Sequence, residues 1–387
     1  MEKLSVINTF YQYLPLTQSW LYRLLVNIPD VNQVIVSKKI SQNYYYNDSF
    51  IYIKFPIQEL DKKDKSNIIV KVINKAIREI TKKTFNKYVQ YKIRTHQIKP
   101  DILHSHFGTV GWEYIPLAKT LNVKHVVSFY GFDYEYVINL DPVWKIRYKT
   151  LFEEADLFIC EGKHGAKILK NLGCPSEKIK IIKLGVEIDK TPFFERNKKE
   201  NELKLLQIAS FKEKKGHYYT VKAFAEALKY CPNMSLTLVG SGETKKNIEN
   251  LVRNLNIEKY VKFLDEIEFD KLHNFMKDFH VFIHPSCYAK NMDCEGGAPI
   301  VILDAQATGM PVISTNHCDI PEEVIHNKTG FLAEEKNYKQ LAKYIVEFYK
   351  MSLETYKKFS YKAREHIEKN YNIKDNARKL RELYDML

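Results

Sequence analysis

Between residues 293 and 311 an acid, two glycines and a proline lead into an apolar run, with a second acid nine residues after the first. The acids are Glu295 and Asp304. The run Ile300 to Leu303 reads as the first turns of a buried helix, with Pro299 at its first position and Gly309 just past its end. A helix start presents unsatisfied N–H groups and partial positive charge, which suits phosphate. Gly296 and Gly297 just before it let a ligand approach the backbone. Glu295 stands at the mouth of such a site, and Asp304 can reach a hydroxyl further along the ligand. Phosphates in the middle and hydroxyls at both ends describe a sugar nucleotide. The same residues also fit an ordinary loop-to-helix junction with a solvated glutamate.

A second candidate is the turn from Ala209 to His217, which contains Ser210, Lys212, Lys214, Lys215 and Gly216. A lysine beside a glycine at a strand-to-helix turn can set an ammonium against phosphate and offset leaving-group charge; taken alone, it also fits a solvated surface turn. The turn at Gly240-Ser241-Gly242 is too short for a dinucleotide fingerprint. His104 and His106 flank Ser105 at the end of a strand, and alternation along an extended chain predicts one facing the cleft and one the sheet. Tyr130-Gly131-Phe132-Asp133 ends the next strand on the same side. A tyrosine is a poor proton acceptor near neutrality, since its pKa is about 10. Neither a serine nucleophile elbow nor a P-loop is evident.

The elements that must position these groups alternate. Strands are predicted near 4–8, 34–37, 51–55, 101–104, 123–129, 156–160 and 179–182. Helices of about ten residues fall between the later ones, and Thr17 or Ser19 is placed to cap the first, which carries Trp20 to Ile28. The pattern lapses around Asp189–Leu203, the candidate linker, then restarts with strands near 204–209, 235–239, 261–264, 281–284 and 312–314. Three helical stretches follow from Tyr338. The expected fold class is α/β: two doubly wound, Rossmann-like units facing a cleft at the carboxyl ends of both sheets. The expected domains are 1–195, 196–365, and a C-terminal helix at 366–387 that packs back on the first.

The chain has 387 residues, 45% hydrophobic and 28% charged, with a net charge of +13. Residues 51–100 hold 13 basic and 4 acidic side chains, so the basicity is concentrated in one segment. Much of it lies on a predicted helix at about 66–95, with Ile69, Val72, Ile73, Ile77, Ile80, Phe85 and Val89 near helical spacing. That helix can pack on the first sheet with solvated lysines, or rest on an anionic membrane surface. No apolar run approaches the roughly 18 residues of a membrane span, and no secretory leader is apparent, which argues for the cytoplasm. Six scattered cysteines fit reduced thiols. Cys287, Cys294 and His284 match no zinc spacing, and the expectation is no metal.

Taken in order, these segments resemble the retaining nucleotide-sugar glycosyltransferases of the GT-B fold (family 4, group 1). The resemblance rests on Lys215-Gly216, Val239-Gly240-Ser241-Gly242, Val261 to Leu264, Val281 to Ser286, the run from Glu295 to Thr315, Ile320-Pro321-Glu322 and Gly330-Phe331-Leu332. In the first half it rests on Pro100 to Gly108, Phe129 to Asp133, and Phe152 to Asp156. The version from Glu295 to Ala307 looks most like members that build colanic-type, capsular or other exported polysaccharides. The resemblance implies that Lys215 contacts the donor diphosphate and Glu295 a hydroxyl of the transferred sugar. It places Ser210 at a phosphate-binding position and the backbone of Gly296, Gly297, Ala298, Pro299, Ile300 and Val301 against the phosphates. Asp304 then takes the ribose hydroxyls, and Phe263 and Leu264 lie near the base. His106, Tyr130 and Asp133 fall on the acceptor side.

It further implies transfer with retention, no metal or cofactor for donor binding, and a nucleotide-diphosphate sugar as co-substrate. The acceptor is a glycan or a lipid-linked glycan, and nucleic acid is not a partner. The implied location is cytoplasmic, with peripheral contact on the inner membrane face through the basic helix. Three departures stand out. The paired acids are one residue further apart than usual, Ser210 replaces a common arginine, and Tyr130 replaces a common histidine. An N-terminal glycine pair is also missing at 14–19. The rival expectation is a catalytically inactive, basic, two-lobed protein that binds membrane or nucleic acid.

Overall fold

The computed structural model describes residues 3–13, 15, 18–40, 47–56 and 68–387. Two all-parallel sheets organise it. The first comprises β1 (Leu4–Tyr13), β2 (Val31–Ile40), β3 (Ile51–Lys54), β4 (Ile102–His106), β5 (Lys124–Ser128), β6 (Leu157–Cys160) and β7 (Ile179–Ile181), in the order 3-2-1-4-5-6-7. The second comprises β8 (Leu203–Ile208), β9 (Met234–Val239), β10 (Val261–Leu264), β11 (Val281–His284), β12 (Val312–Thr315) and β13 (Gly330–Ala333), in the order 10-9-8-11-12-13. Each order reverses direction once, between β1 and β4 and between β8 and β11. Ligands of open α/β sheets bind in the crevice outside the strand ends at such a reversal. The loops after β8 and β11 carry Lys215 and Glu295.

Central strands buried on both faces need continuous apolar sequence. Leu205, Leu236, Leu238, Val281, Ile283 and Ile313 meet that need in the second sheet, with Phe224 and Phe348 from its covering helices. Val6, Ile35, Val126 and Ile159 do so in the first. β1 and β2 are ten residues each, longer than predicted, because they pair in parallel over nearly their whole lengths. β13 was not predicted as a strand. It is only four residues long, but pairing with β12 buries it completely.

The predicted linker is an anchored strap. Arg196 donates to the carbonyls of Phe279 (2.7 Å), Thr308 (2.6 Å) and Met276 (3.2 Å), and Lys198 Nζ to those of Tyr349 and Met351 (both 3.1 Å). Buried cations that satisfy several carbonyls fix the chain path. After the helix Leu353–Asn370 the chain returns to the first sheet: Val186 bridges Asn372, and the helix Ile373–Asp385 buries Ile373, Ala377, Leu380 and Tyr384 in that core.

The basic helix runs over Ile68–Thr95, and the start predicted for it lies outside the described residues. Its second half packs Phe85, Val89 and Ile93 into the first core, whereas Ile73 and Ile80 are exposed. Gln18 precedes the helix Ser19–Asn27 with no side-chain cap; Thr17 lies outside the described residues, as does the Ser19 side chain. Among the described residues no helix is long and apolar enough to cross a membrane.

Candidate functional site

The helix anticipated after the paired glycines spans Ile300–Ala307. Pro299 has an extended ψ of 118° and stands just before the first turn rather than within it, a one-residue correction. At the other end Gly309, with φ of 81°, closes the helix: its N–H donates to Gln306 O (2.9 Å) and that of Met310 to Ala305 O (3.0 Å). This paired closure satisfies carbonyls the last turn leaves open and needs a left-handed residue there.

Lys215 follows β8 in a short 3-10 turn that ends at Gly216, where φ is 69° and a Cβ would stand 2.0 Å from Pro285 O. That close approach brings the turn onto the loop after β11. Lys215 Nζ meets Glu295 Oε2 at 2.6 Å, and Ser286 Oγ donates to Glu295 Oε1 at 2.7 Å. Burial opposes ionisation of Glu295, but Lys215, His284 and Lys214 outweigh it and hold the carboxyl well below its usual range. Lys214 anchors the same loop through Asp293 Oδ1 (2.9 Å) and Cys294 O (2.7 Å). An ammonium and a carboxylate therefore face one another in the loops that follow β8 and β11.

Ser210 is partly buried just beyond the end of β8, and Lys212 N donates to its carbonyl (2.8 Å). Phe263 and Leu264 end β10; the Phe263 ring lies 6.2 Å from Phe211, and Leu264 O accepts from Gly240 N (3.0 Å). Ala298 and Ile300 line a small cavity of about 20 Å³ with Glu161, Lys183, Asp319 and Tyr371. Gly297 O accepts from Asp319 N (3.1 Å), and a Cβ on Gly297 would stand 1.7 Å from Glu161 Oε2. Val301 is partly buried in the first turn of the helix.

Asp304 is held by other protein groups. Arg23, from the helix Ser19–Asn27 under the first sheet, meets Oδ1 and Oδ2 at 3.1 and 3.3 Å, and His273 Nε2 meets Oδ1 at 2.9 Å. Its side chain is 4% exposed. Burial works against the carboxylate, but Arg23 and His273 keep it ionised.

His104 and His106 share one face of β4, contrary to the alternation expected of them. Their rings stack at 4.3 Å, because residues two apart on a strand point the same way and Ser105 points the other. His104 bonds Tyr384 Oη (2.6 Å) and Ser128 Oγ (2.7 Å); His106 bonds Tyr130 Oη (2.9 Å) and Asn8 Oδ1 (3.0 Å). Asp133 accepts from Tyr130 N (3.1 Å), and burial raises its pKa to about 7. His106, Tyr130 and Asp133 thus lie in one buried network at the carboxyl end of the first sheet.

The two halves meet at glycine. A Cβ on Gly131 would stand 2.4 Å from Gly296 Cα, and one on Gly296 1.8 Å from Gly131 Cα; both have positive φ. Tyr134 Oη donates to Gly296 O at 2.8 Å. Arg23, His273, Ser286, Glu161 and Glu135 received no role from the sequence. Only Ser286 falls in a segment that carries the family resemblance, Val281 to Ser286; the others sit at unremarkable positions, and long-range packing alone brings them to the cleft. Cys287 is buried against the Lys215 turn: its N–H donates to Lys214 O (2.9 Å) and its sulfur lies 4.0 Å from Glu213 O.

Comparison with known proteins gives the family. The family model of glycosyl transferases group 1 matches residues 189–366, and that of glycosyltransferase family 4 matches residues 61–190. The chain belongs to the group 1 glycosyltransferases and has their two-sheet GT-B fold. WcaL of Salmonella typhimurium, named as a colanic acid biosynthesis glycosyltransferase, is 28% identical over 290 residues, which cover 73% of this chain and 70% of the relative. The amylovoran biosynthesis glycosyltransferase AmsK of Erwinia amylovora is 29% identical over 244 residues, covering 62% and 60%. The Anabaena protein Alr3699/HepE, solved in complex with UDP, superposes with a TM-score of 0.74 at 13% identity, covering all of both chains.

Proposed function

We propose that this protein transfers a sugar, with retention, from a nucleotide-diphosphate donor to a glycan or lipid-linked glycan during assembly of a cell-surface polysaccharide. The observation that carries this is the Lys215–Glu295 pair at the head of the helix Ile300–Ala307, at the strand reversal between β8 and β11. Lys215 and the backbone N–H groups of Gly297, Ala298, Ile300 and Val301 stabilise charge on the leaving diphosphate, while Glu295 orients the sugar through a hydroxyl. Ser210 contributes a hydroxyl to the phosphates, and Phe263 and Leu264 flank the base. Asp304 takes the ribose by exchanging its bonds to Arg23 and His273. The acceptor enters on the side of His106, Tyr130 and Asp133. The names of the relatives support polysaccharide assembly, and the UDP complex of the Anabaena protein supports a nucleotide-sugar donor. The family matches and the paired Lys215 and Glu295 favour a transferase over an inactive binding protein.

Thermal unfolding with UDP, GDP, ADP and CMP tests the donor site. A ligand at 100 times its Kd stabilises by about 2.7 kcal/mol, so one nucleoside diphosphate raises Tm and Asp304→Asn weakens its binding about tenfold. No shift with any nucleotide refutes the donor site. Retention is read from the anomeric configuration of the first-formed product.

A lipid-linked acceptor gives the helix Ile68–Thr95 a further use on the cytoplasmic membrane surface. Ile73 is 39% exposed and Ile80 47%, with Lys75 and Lys87 also exposed on the same helix. An interfacial helix needs both apolar and basic groups open to the lipid. Flotation with anionic liposomes is expected to drop when Lys75 and Lys87 are changed to Gln; equal flotation of the variant counts against membrane contact.

A further inference from the structure

Beside the Lys215–Glu295 pair, on the far side of Cys294, lies a cluster of metal-ligating side chains that the transfer chemistry does not use. The ligand atoms of Cys294, His317 and Cys318 all lie within 4.8 Å of one another, as do those of Glu135, His164 and Cys318. His317 Nε2 is 3.2 Å from Cys318 Sγ, Cys294 Sγ 2.6 Å from Glu135 Oε2, and His164 Nε2 3.1 Å from Glu135 Oε1. We propose that Cys294, His317 and Cys318 bind a zinc ion, with Glu135 and His164 of the first-sheet domain facing its fourth position.

Ligand type comes first. Two thiolates and an imidazole select zinc over magnesium or calcium, which prefer oxygen. Bonds of about 2.0–2.3 Å in a tetrahedron place ligand atoms roughly 3.3–3.8 Å apart; His317 Nε2 and Cys318 Sγ, at 3.2 Å, are near that separation, and Cys294 Sγ, within 4.8 Å of both, closes on the ion by a shift of about 1 Å or less. Zinc takes both sulfurs as thiolates and His317 Nε2 as a neutral imidazole, so any proton these groups carry leaves to solvent as the ion binds, with no change in oxidation state.

The surrounding groups hold the ligands ready. His317 Nδ1 lies 2.7 Å from Glu335 Oε1, which fixes the ring and leaves Nε2 facing the two sulfurs. A carboxylate behind a histidine is the usual outer support of a zinc ligand. Glu335 is itself held by Tyr288 N (3.0 Å), and Glu135 by Tyr288 Oη (2.6 Å). Cys318 has φ of 48°, a left-handed backbone that a non-glycine residue adopts at some cost, in the turn that sets its sulfur beside the His317 ring. Cys294 and His317 are buried, while Cys318 is partly open and leaves a path for the ion. All six cysteines are free thiols.

Zinc here has a structural consequence. Cys294 directly precedes Glu295, whose N–H donates to His317 Nε2 at 3.2 Å; the ion takes that same lone pair, so zinc binding replaces this hydrogen bond with a metal bond and frees the Glu295 N–H. Glu135 and His164 belong to the opposite half of the molecule. The ion therefore ties the loop that carries Glu295 both to the turn after β12 and to the first-sheet domain. It takes no part in donor binding.

The test is the metal content of the full-length, tag-free protein purified under reducing conditions without chelator. About one zinc per chain is expected. Replacement by Co²⁺ should give a near-ultraviolet thiolate-to-cobalt band and the strong visible absorption of a tetrahedral site. Cys318→Ser should abolish both, Cys174→Ser should leave both, and Glu335→Gln should weaken zinc affinity about tenfold. In the wild-type protein, a chelator should raise the number of reactive thiols by two and added zinc should reverse this, which frees the test from the folding of any variant. Substoichiometric zinc with no cobalt band, or a Cys294–Cys318 disulfide found by mass, overturns the proposal. These readouts do not depend on nucleotide binding, so they fail or succeed independently of the donor site.

Discussion

Lys215 and Glu295 are 17% and 6% exposed at their side chains, so each charge depends on the other for compensation. Removing one member of a buried pair leaves an uncompensated charge, which typically costs about 3–5 kcal/mol, while replacing both with neutral groups costs far less. Lys215→Ala is therefore expected to lower Tm markedly and to cut transfer by about 100-fold or more, since the leaving diphosphate loses its nearest cation. Lys215→Ala combined with Glu295→Gln should recover much of the stability and none of the activity. Unfolding curves and initial rates on the same samples separate the two effects; a single variant of wild-type stability would show that the pair is not electrostatically coupled. These two residues and the glycine turn between them were legible in the sequence, because strand-turn-helix punctuation and residue type are local. The Arg23 and His273 bonds of Asp304 were not, since Arg23 lies 281 positions away.

At the scale of elements, the C-terminal helix Ile373–Asp385 is tied to β4 by Tyr384 Oη on His104. Burial, with His125 adding, pushes the His104 pKa from 6.5 down to about 3. A histidine kept neutral in the fold contributes stability that is fully present above its unfolded pKa of about 6.5. That contribution is lost as pH falls, because only the unfolded chain takes the proton. The stability difference between wild type and His104→Gln should shrink by about 1.4 kcal/mol per pH unit between pH 6.5 and 4.5. Urea midpoints at several pH values measure it, and a constant difference would show that His104 does not titrate between the two states. The strands were largely readable from apolar runs bounded by turns. Their ends were not, since pairing in the sheet extends β1 and β2 and creates β13.

At the scale of the whole molecule, the two halves touch through backbone at Gly131 and Gly296, where no side chain fits. Gly131→Ala puts a Cβ 2.4 Å from Gly296 Cα at a φ of 67°, so both the turn and the contact are strained. The expected result is a wider average separation of the halves by small-angle scattering, with transfer reduced about 100-fold by misplacement of the acceptor side. Nucleotide binding should weaken far less than transfer, because Lys215 and the helix Ile300–Ala307 belong to the second half and only the backbone at Glu295 and Gly296 meets the new Cβ. An unchanged scattering profile and rate would mean that the halves do not close on this contact.

The sequence by itself determined the alternation of strand and helix, the two-unit division, the glycine turns and the family. Each is carried by short-range pattern: apolar periodicity, turn chemistry, and acids and lysines at fixed offsets from a helix start. Only the tertiary structure decided which polar groups face one another. It closed Glu295 onto Lys215 and Ser286, occupied Asp304 with Arg23 and His273, and stacked His104 on His106. It also gathered Cys294, His317 and Cys318 beside Glu135 and His164, whose spacing matches no metal motif. The physical reason is that buried polar partners are chosen by the crossing of distant loops at the strand reversals. No local pattern encodes which loops will meet there.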